Sequence, residues 1–512
     1  MSLPPYLPEE REMSQRNEDL FRQRLAKAEQ LRAMGIDPYP ARARCTHSAA
    51  EALALLDRIE SGEAEASIDP AVCGRIRLAR SMGKKVSFID IHDGSGRLQV
   101  YCKQEILGEQ QFAIIRELDL GDFIQVSGRM FRTRTGEPTL EARGLVVLAK
   151  ALQPPPEKWR GIIDVELKYR QRYLDLMSSD ETRERFRNRS RIVSTIRRYM
   201  DARGFIEVET PVLQVEAGGA AARPFKTHFH ALDEERFLRI SLELHLKRLL
   251  VGGFDKIYEI GRIFRNEGVD TWHNPEFTMM ESYEAYADYH DVARMVEELI
   301  ATVSREVLGT LQVPHGEILL DLTPPWARMT MRNALIDLAG IDFEGYRDEG
   351  ALRGWMAGHG IHAKPDLGWG KLLDEVFSEL VQPRLQQPVF IIDYPIELSP
   401  LAKRKPGDPN LVERFEAFVG GYEIANAYSE LNDPVDQRER FERQVTQRAR
   451  GDDETEMVDE DFLQALEHGM PPAGGLGIGI DRLCMALLNE PTIREVLLFP
   501  QLRTKDRSDD EL

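Results

Sequence analysis

Apolar residues recur every three or four positions along 183–203, where Phe186, Ile192, Val193, Ile196, Tyr199 and Met200 form one stripe. That spacing predicts an amphipathic helix, with Gly204 as its stop. The pattern then changes to that of a strand in "FIEVETPVL", which Pro211 ends or edges. Alternation governs "DKIYEIGRIFRNEG" and "PEFTMMESYEAY", so 256–286 reads as an antiparallel hairpin with its loop near 268–275. A second hairpin is predicted over "ERFEAFVGGYEIANAYSELND" (413–433), turning at Gly420-Gly421. Residues 474–489, "GGLGIGIDRLCMALLN", read as a glycine-rich strand running into a helix. Earlier in the chain, 15–34 reads as a polar amphipathic helix closed by Gly35 and "DPYP". After it, "AVCGRIRL" and "KVSFIDIHDGSGRLQVYC" give three strands, with a D-G-S-G turn in the second segment. A helical stretch at 105–118 and two more strands, "DFIQVSGRMFRT" and "TLEARGLVVLA", complete the series.

Three strands, a helix and two strands in this order predict a small five-stranded barrel of the OB type. The prolines of "QPPPEKW" (153–159) favour a stiff, extended linker. The expected organisation is therefore a helix and barrel over 1–152, a linker over 153–168 and a larger α+β region over 169–512. Within that region, 287–395 is expected to add helices and outer strands around an antiparallel sheet. A chain of 512 residues, 42% hydrophobic, suffices for two to four buried cores.

Charge and cysteine usage narrow the classes. Cys45, Cys73, Cys102 and Cys484 are isolated, with no C-x-x-C pair, which argues against zinc ribbons and redox dithiols and fits a reducing cytoplasm. No signal-peptide core or membrane span is expected. The net charge of −19 opposes indiscriminate nucleic-acid binding. A local basic patch stands against it: Arg75, Arg77, Arg80, Lys84, Lys85, Arg97 and Lys103 face only Asp90 and Asp93 within 73–103. The acidic run "GDDETEMVDED" (451–461) reads as a solvated surface.

The stretch "FRNEGVDTWHNPEFTMMESY" concentrates Arg265, Glu267, His273, Asn274, Phe277, Glu281 and Tyr283. On regular strands, Arg265 and Glu267 share one face, and Phe277, Glu281 and Tyr283 share another. One reading is a salt-bridged sheet face. The other is a binding site: a guanidinium suits a phosphate, an aromatic face suits a planar base, and carboxylates suit an ammonium or a metal ion. In the second hairpin Glu416 and Glu423 fall on one face, diagonally adjacent. Such a pair repels unless a cation lies between them or water solvates both.

"FRNEG…HNPEFTMMESY" resembles motif 2 of class II aminoacyl-tRNA synthetases, 474–489 resembles motif 3, and the helix–strand–proline unit 183–211 resembles motif 1. With "YRQRYLDL", "GGAAARPF", "SELNDP", "LEHGMPP" and the OB barrel, the chain resembles bacterial-type lysyl-tRNA synthetases from the barrel to near its end.

The resemblance implies that L-lysine and ATP form lysyl-adenylate and that the lysyl group passes to the 3′ end of tRNA(Lys). It implies catalytic roles for Arg265 and Arg482, and ATP binding by these with Glu267, His273, Asn274, Phe277, Glu416 and Glu423. Glu416 and Glu423 would hold Mg²⁺ on the ATP phosphates. Glu430 with Tyr283 would receive the ε-ammonium of lysine. Glu243, Glu281 and the Gly219 carbonyl would receive the α-ammonium, and Asn426 and Arg265 the carboxylate, with Tyr428 beside them. Phe88, Gln99 and Arg80 would meet the anticodon, although a core position for Phe88 is the simpler reading of the barrel alone. A homodimer in the cytoplasm, away from any membrane, is implied.

Simple alternation puts Asn426, Tyr428 and Glu430 opposite Glu423, so a β-bulge near Ala425 is expected. "ISLELHL" has Leu242 where many family members have proline. The competing readings are an aspartyl- or asparaginyl-type synthetase, a ligase that puts lysine on a protein, and a non-catalytic tRNA-binding regulator on the same scaffold. Acids at 281 and 430 disfavour the first, the barrel disfavours the second, and intact Arg265, Glu416, Glu423 and Arg482 disfavour the third.

Overall fold

The computed structural model describes residues 8–65, 67–156, 162, 164–365, 367–448 and 458–503. Part of the expected linker and most of the acidic run lie outside these residues. The chain folds as two compact units, Met1–Ile162 and Ile163–Leu512.

In the first unit, β1 (Ala71–Ser81), β2 (Val86–His92), β3 (Arg97–Lys103), β4 (Phe123–Arg132) and β5 (Pro138–Ala149) close a barrel in the order β1-β2-β3-β5-β4. Alternation sends Ile89, Ile91, Leu98, Val100, Ile124 and Val126 into its core and the residues between them outward. The helix expected at 105–118 is broken into Gln104–Leu107, Glu109–Ile114 and a 3₁₀ turn at Ile115–Glu117. Gly108 makes the first break, with φ of 80°. The helix Ala49–Glu60 was not anticipated, although its capping box, Ser48 with Glu51, is a sequence signal.

In the second unit, short strands β6 (Ile206–Glu207), β7 (Leu213–Gln214), β8 (Lys226–Phe229) and β9 (Glu234–Leu238) precede the long hairpin of β10 (Lys256–Phe264) and β11 (Glu276–Ala285). Then follow β12 (Gln312–His315), β13 (Ile318–Asp321), β14 (Ala327–Thr330), β15 (Val389–Pro395), β16 (Arg404–Lys405), β17 (Asp408–Val419), β18 (Tyr422–Ser429) and β19 (Ala473–Gly479). One sheet runs β14-β15-β17-β18-β19-β11-β10-β6, with β16 on β17. Its pairs are antiparallel except β14 with β15 and β6 with β10. The helices Asp180–Ala202, Tyr289–Leu308 and Ile480–Leu488 bury apolar faces in its main core.

Two strand expectations need correction. "FIEVETPVL" yields only β6 and the start of β7, because the backbone between them is held by side chains. Thr210 donates its hydroxyl to Glu259 at 2.7 Å, and its carbonyl accepts from Arg239 at 3.1 Å. In the long hairpin, β10 ends at Phe264, so Arg265 and Glu267 sit in the loop and not on a strand face.

Candidate active site

The β17–β18 hairpin turns at Gly420-Gly421, with φ of 62° and 80°, as a tight primed turn requires. Phe418 pairs with Glu423, but Ala417 pairs with Ala425, so Ile424 is the extra residue of a bulge. The expected bulge near Ala425 is thus present. It flips the parity of the strand and places Asn426 directly opposite Glu416.

That flip completes a cavity of about 860 Å³. It is lined by every residue assigned above to ATP, lysine or metal: Gly219, Glu243, Arg265, Glu267, His273, Asn274, Phe277, Glu281, Tyr283, Glu416, Glu423, Asn426, Tyr428, Glu430 and Arg482.

One end is rich in guanidinium groups. Arg265 lays its guanidinium 5.2 Å from the Phe277 ring centre, and its Nε donates to the Ile240 carbonyl at 3.4 Å. It forms no ion pair among the described residues, so the salt-bridged reading of the hairpin does not hold. Arg482 donates to Glu423 at 2.9 Å and meets His273 Nε2 at 3.1 Å. Asp270 contacts His273 Nδ1 at 2.8 Å, which fixes the tautomer with its proton on Nδ1. Asn274 is buried and its amide is engaged, donating to the Glu276 carbonyl at 2.6 Å and accepting from the Gln501 amide at 3.3 Å. Glu416 accepts from Arg414 at 2.5 Å and from the Tyr394 hydroxyl at 2.9 Å. Burial, with Glu423 and Asp374 nearby, pushes the Glu416 carboxyl up to about 7 against the pull of Arg414.

The other end is acidic and buried. Glu281 accepts from Ser241 at 3.1 Å, the Leu242 amide at 2.9 Å and Tyr283 at 3.2 Å. Glu243 accepts from Tyr428 at 2.5 Å and from Lys247 at 2.5 Å. Glu430 is ion-paired with Lys247, yet neither of its buried oxygens receives a well-aligned hydrogen bond among the described residues. Gly219 has φ of 85°, and a Cβ there would lie 2.9 Å from Ser241 Oγ. Asn426 Oδ1 accepts from Arg414 Nε at 3.0 Å, which leaves its NH₂ group free to face the cavity.

On the barrel, Phe88 is not a core residue. It lies half-buried on the outer face, opposite Arg80 in register. Its ring centre is 5.1 Å from Tyr101, which is 6.1 Å from Phe131. Gln99 is on the same face and accepts from the Thr139 hydroxyl at 3.0 Å. Arg75, by contrast, is engaged within the unit: it stacks 4.3 Å from Phe123 and donates to the Gly121 carbonyl at 3.2 Å.

A profile of the class II tRNA synthetases (D, K and N) matches residues 164–503, and one of the OB-fold nucleic acid binding domain matches 71–148. A lysine–tRNA ligase of Dehalococcoides mccartyi is 54% identical over 96% of this chain and 98% of its own length. Those of Moorella thermoacetica and Chloroflexus aurantiacus are each 52% identical, over 95% and 96% of this chain and 98% and 99% of theirs. The chain belongs to the class II tRNA synthetases, among the lysine–tRNA ligases. It is an ATP-dependent ligase of α+β fold with an OB-fold unit. No described helix is long and apolar enough to cross a membrane.

In this ligase the cavity wall and the layer directly behind it also hold residues that sequence reasoning missed. Ser241 sits two positions from Glu243, and Lys247 sits one helical turn after it, a spacing that signals a pair. Arg414 precedes Glu416 by two positions, on the same strand face. Gly475 shares its face with Gly477 and Gly479. Trp369 and Asp374 come from the long 287–395 region, whose helices form a cavity wall with their own core. Nothing in their local pattern marks them.

Burial, reinforced by Glu243, pushes the Glu281 carboxyl up to about 7. Its folded value thus exceeds the ordinary 4.5, so its contribution to stability is present at acid pH and lost as pH rises through about 7. Ammonium binding has the opposite sign, because it needs the carboxylate. The Michaelis constant for lysine is therefore expected to fall as pH rises through 7, a trend that a pH series of exchange assays reads directly.

Proposed function

We propose that the enzyme joins the carboxylate of L-lysine to the α-phosphate of ATP, releasing pyrophosphate, and then passes the lysyl group to the terminal ribose hydroxyl of tRNA(Lys), releasing AMP. The observation that carries this reading is the trio Glu243, Glu281 and Glu430, buried at one end of a cavity whose other end holds Arg265 and Arg482. A pocket for aspartate or asparagine would have to accept a carboxylate or an amide, and three buried acids oppose the first and are unsuited to the second.

Arg265 would bridge the α-phosphate and the lysine carboxylate, with the Asn426 NH₂ group as second donor. Phe277 and Arg482 would sandwich the adenine. His273, held by Asp270, would orient Arg482, while Glu267 faces the same end and Asn274 ties the loop from within. Glu430 and Tyr283 would receive the ε-ammonium. Glu243, Glu281 and the Gly219 carbonyl would receive the α-ammonium, and Tyr428 would hold Glu243 in place.

The donor set fits Mg²⁺. Glu416 and Glu423 are hard oxygen donors, and the charge of Glu423 helps raise the proton affinity of Glu416. Among the described residues no group of three or more side chains could hold a metal alone. With ATP phosphates as further ligands, an ion held by the two carboxylates would neutralise charge on the departing pyrophosphate. Arg414 and Arg482 already orient the two carboxylates.

Pyrophosphate exchange with each amino acid in turn tests the reading: lysine is expected to support it, and silence with lysine would reject it. The barrel unit would read the anticodon, with 153–168 as its connection to the catalytic unit. The row Phe88–Tyr101–Phe131 offers stacking faces, and Arg80 and Gln99 lie beside it. Phe88→Ala is expected to reduce kcat/KM for tRNA about fivefold to 10²-fold, since one stack is worth ~1–3 kcal/mol. Lysine-dependent exchange should be untouched, and equal losses in both assays would make Phe88 a structural residue instead.

A homodimer is part of this reading, and exposed apolar side chains on the short strands that follow the motif 1 helix support it. Ile206, Leu213, Val215, Phe229 and Leu232 are 51%, 49%, 66%, 43% and 54% exposed. Such a concentration suits a two-fold contact of like patches. Light scattering should give about twice the 58.5 kDa chain mass; a mass near one chain would remove the dimer. The reducing compartment that suits the four free cysteines is the cytoplasm.

A further inference from the structure

Lys247 lies behind the cavity, not in it. Its ammonium is fully buried on the helix Glu243–Val251, 2.5 Å from Glu243 and in ion-pair contact with Glu430. Aromatic rings confine it: its Nζ is 5.5 Å from the centre of Tyr428 and 5.9 Å from that of Phe462. The groups facing this ion pair are Glu243 on the same helix, Glu281 and Tyr283 on β11, and Tyr428 on β18. Among the described residues, Lys247 is the one cation ion-paired with this acidic trio. Burial, Glu243 and Glu281 raise the proton affinity of Glu430, and Lys247 lowers it.

We propose that Lys247 is a specificity-determining positioning residue: a resident counter-ion that offsets one of three buried carboxylates and leaves two negative charges for the two ammonium groups of lysine. This rests on the reading of Glu430 as the partner of the ε-ammonium. Lys247 contacts Glu243 and Glu430 together, so it also fixes the spacing between the acids that meet the two ends of the substrate. A third ammonium inside the cavity is not needed, because the compensating one enters through the helix. A monocationic amino acid leaves one carboxylate of the trio unmatched, and an uncharged side chain meets a buried anion.

The test is lysine-dependent pyrophosphate exchange by Glu430→Gln, Lys247→Met and Lys247→Arg. Glu430→Gln should raise the KM for lysine about 10²-fold or more. If it does not, the underlying site reading fails. Lys247→Met should raise it about tenfold to 10²-fold, with the KM for ATP changed less than about threefold. Its lysine affinity should recover at a higher pH than in the parent enzyme, because Glu430 loses the group that favours its ionised form. Lys247→Arg should keep the parent pH profile. If Glu430→Gln acts as expected while Lys247→Met leaves the pH profile unmoved, or raises both KM values alike, Lys247 is merely a packing group and the inference falls. Should Lys247→Met not fold by circular dichroism, Glu243→Gln is compared with Glu243→Gln/Lys247→Met. The double variant regains two net negative charges and should bind lysine more tightly than the single one. Weaker or equal binding by the double variant overturns the inference.

Discussion

Gly475→Ala will strip the enzyme of lysine affinity while sparing its ATP site. A Cβ at position 475 would lie 1.8 Å from Glu430 Oε1 and 2.7 Å from Tyr283 Cε1. None of the surroundings can yield cheaply. Gly475 pairs with Tyr283 on one side and Tyr428 on the other, so β19 is locked in register between two strands. Glu430 cannot withdraw, because the fully buried Lys247 fills the space behind it. The methyl group therefore displaces the Glu430 carboxylate or tilts Tyr283. Either outcome separates an incoming ammonium from its anion, and breaking a buried ion pair costs about 3–5 kcal/mol, or roughly 10²–10³ in KM for lysine. Overpacking adds ~1–3 kcal/mol of lost stability, visible in thermal melts. Gly477→Ala is the internal control, since its Cβ meets nothing nearer than the Asn426 carbonyl at 3.8 Å. A lysine KM within about threefold of the parent in Gly475→Ala would show that Glu430 has room to move and that the tight contact carries no specificity.

The contrast between Gly475 and Gly477 shows what could be read from the sequence. Both belong to one glycine-rich strand, on which alternation puts them on one face. Only the third dimension tells that one faces a carboxylate and the other open cavity. Local patterns were legible wherever a single period dominated: the five barrel strands, the two long hairpins and the motif 1 helix all lie within a few residues of expectation. They failed where side chains replaced ladder hydrogen bonds. Thr210 and Arg239 hold the backbone after β6, and no propensity scale contains that interaction. They failed again at residue 265, where the loop begins earlier than alternation suggests.

The site was legible for a different reason. Glu281 and Tyr283 on β11, and Glu416, Glu423, Asn426 and Tyr428 on β17 and β18, sit at spaced positions of long strands, so their convergence follows from parity plus one bulge. The bulge itself was deduced from a conflict, because Glu423 and Asn426 could share a face only if one residue were unpaired. Lys247 and Arg414 were within reach of the same logic, one a helical turn from Glu243 and the other two residues from Glu416. Trp369 and Asp374 were not, since they arrive from helices whose placement depends on long-range packing. Phe88 shows the reverse error. Barrel patterning alone favours a core aromatic, but the inward positions of β2 are taken by Ile89 and Ile91, which turns Phe88 outward.

Arg265→Ala is expected to leave a well-folded enzyme that activates lysine about 10²–10³ times more slowly. Its guanidinium is a costly group for the empty fold. Burial lowers its proton affinity, and no carboxylate among the described residues pairs with it; Glu267, Glu423 and Glu281 act only from a distance. Removing it deletes one contact with the Phe277 ring and one long hydrogen bond, so the melting temperature should hardly change. In the reaction the same group has much to do. Negative charge at the α-phosphate and the attacking carboxylate must share one region, and a planar fork can donate to both. Losing such a preorganised donor typically costs about 2.7–4 kcal/mol of barrier. Since the contact tightens in the transition state, kcat and kcat/KM for exchange should fall together. Lysine binding without ATP should weaken less, because Asn426 and the acidic trio remain. Arg265→Lys keeps the charge but not the fork, and should recover only part of the rate. A kcat within about threefold of the parent in Arg265→Ala would transfer the α-phosphate to another cation, and Arg482, already tied to Glu423, is the candidate that calorimetry with ATP would then have to examine.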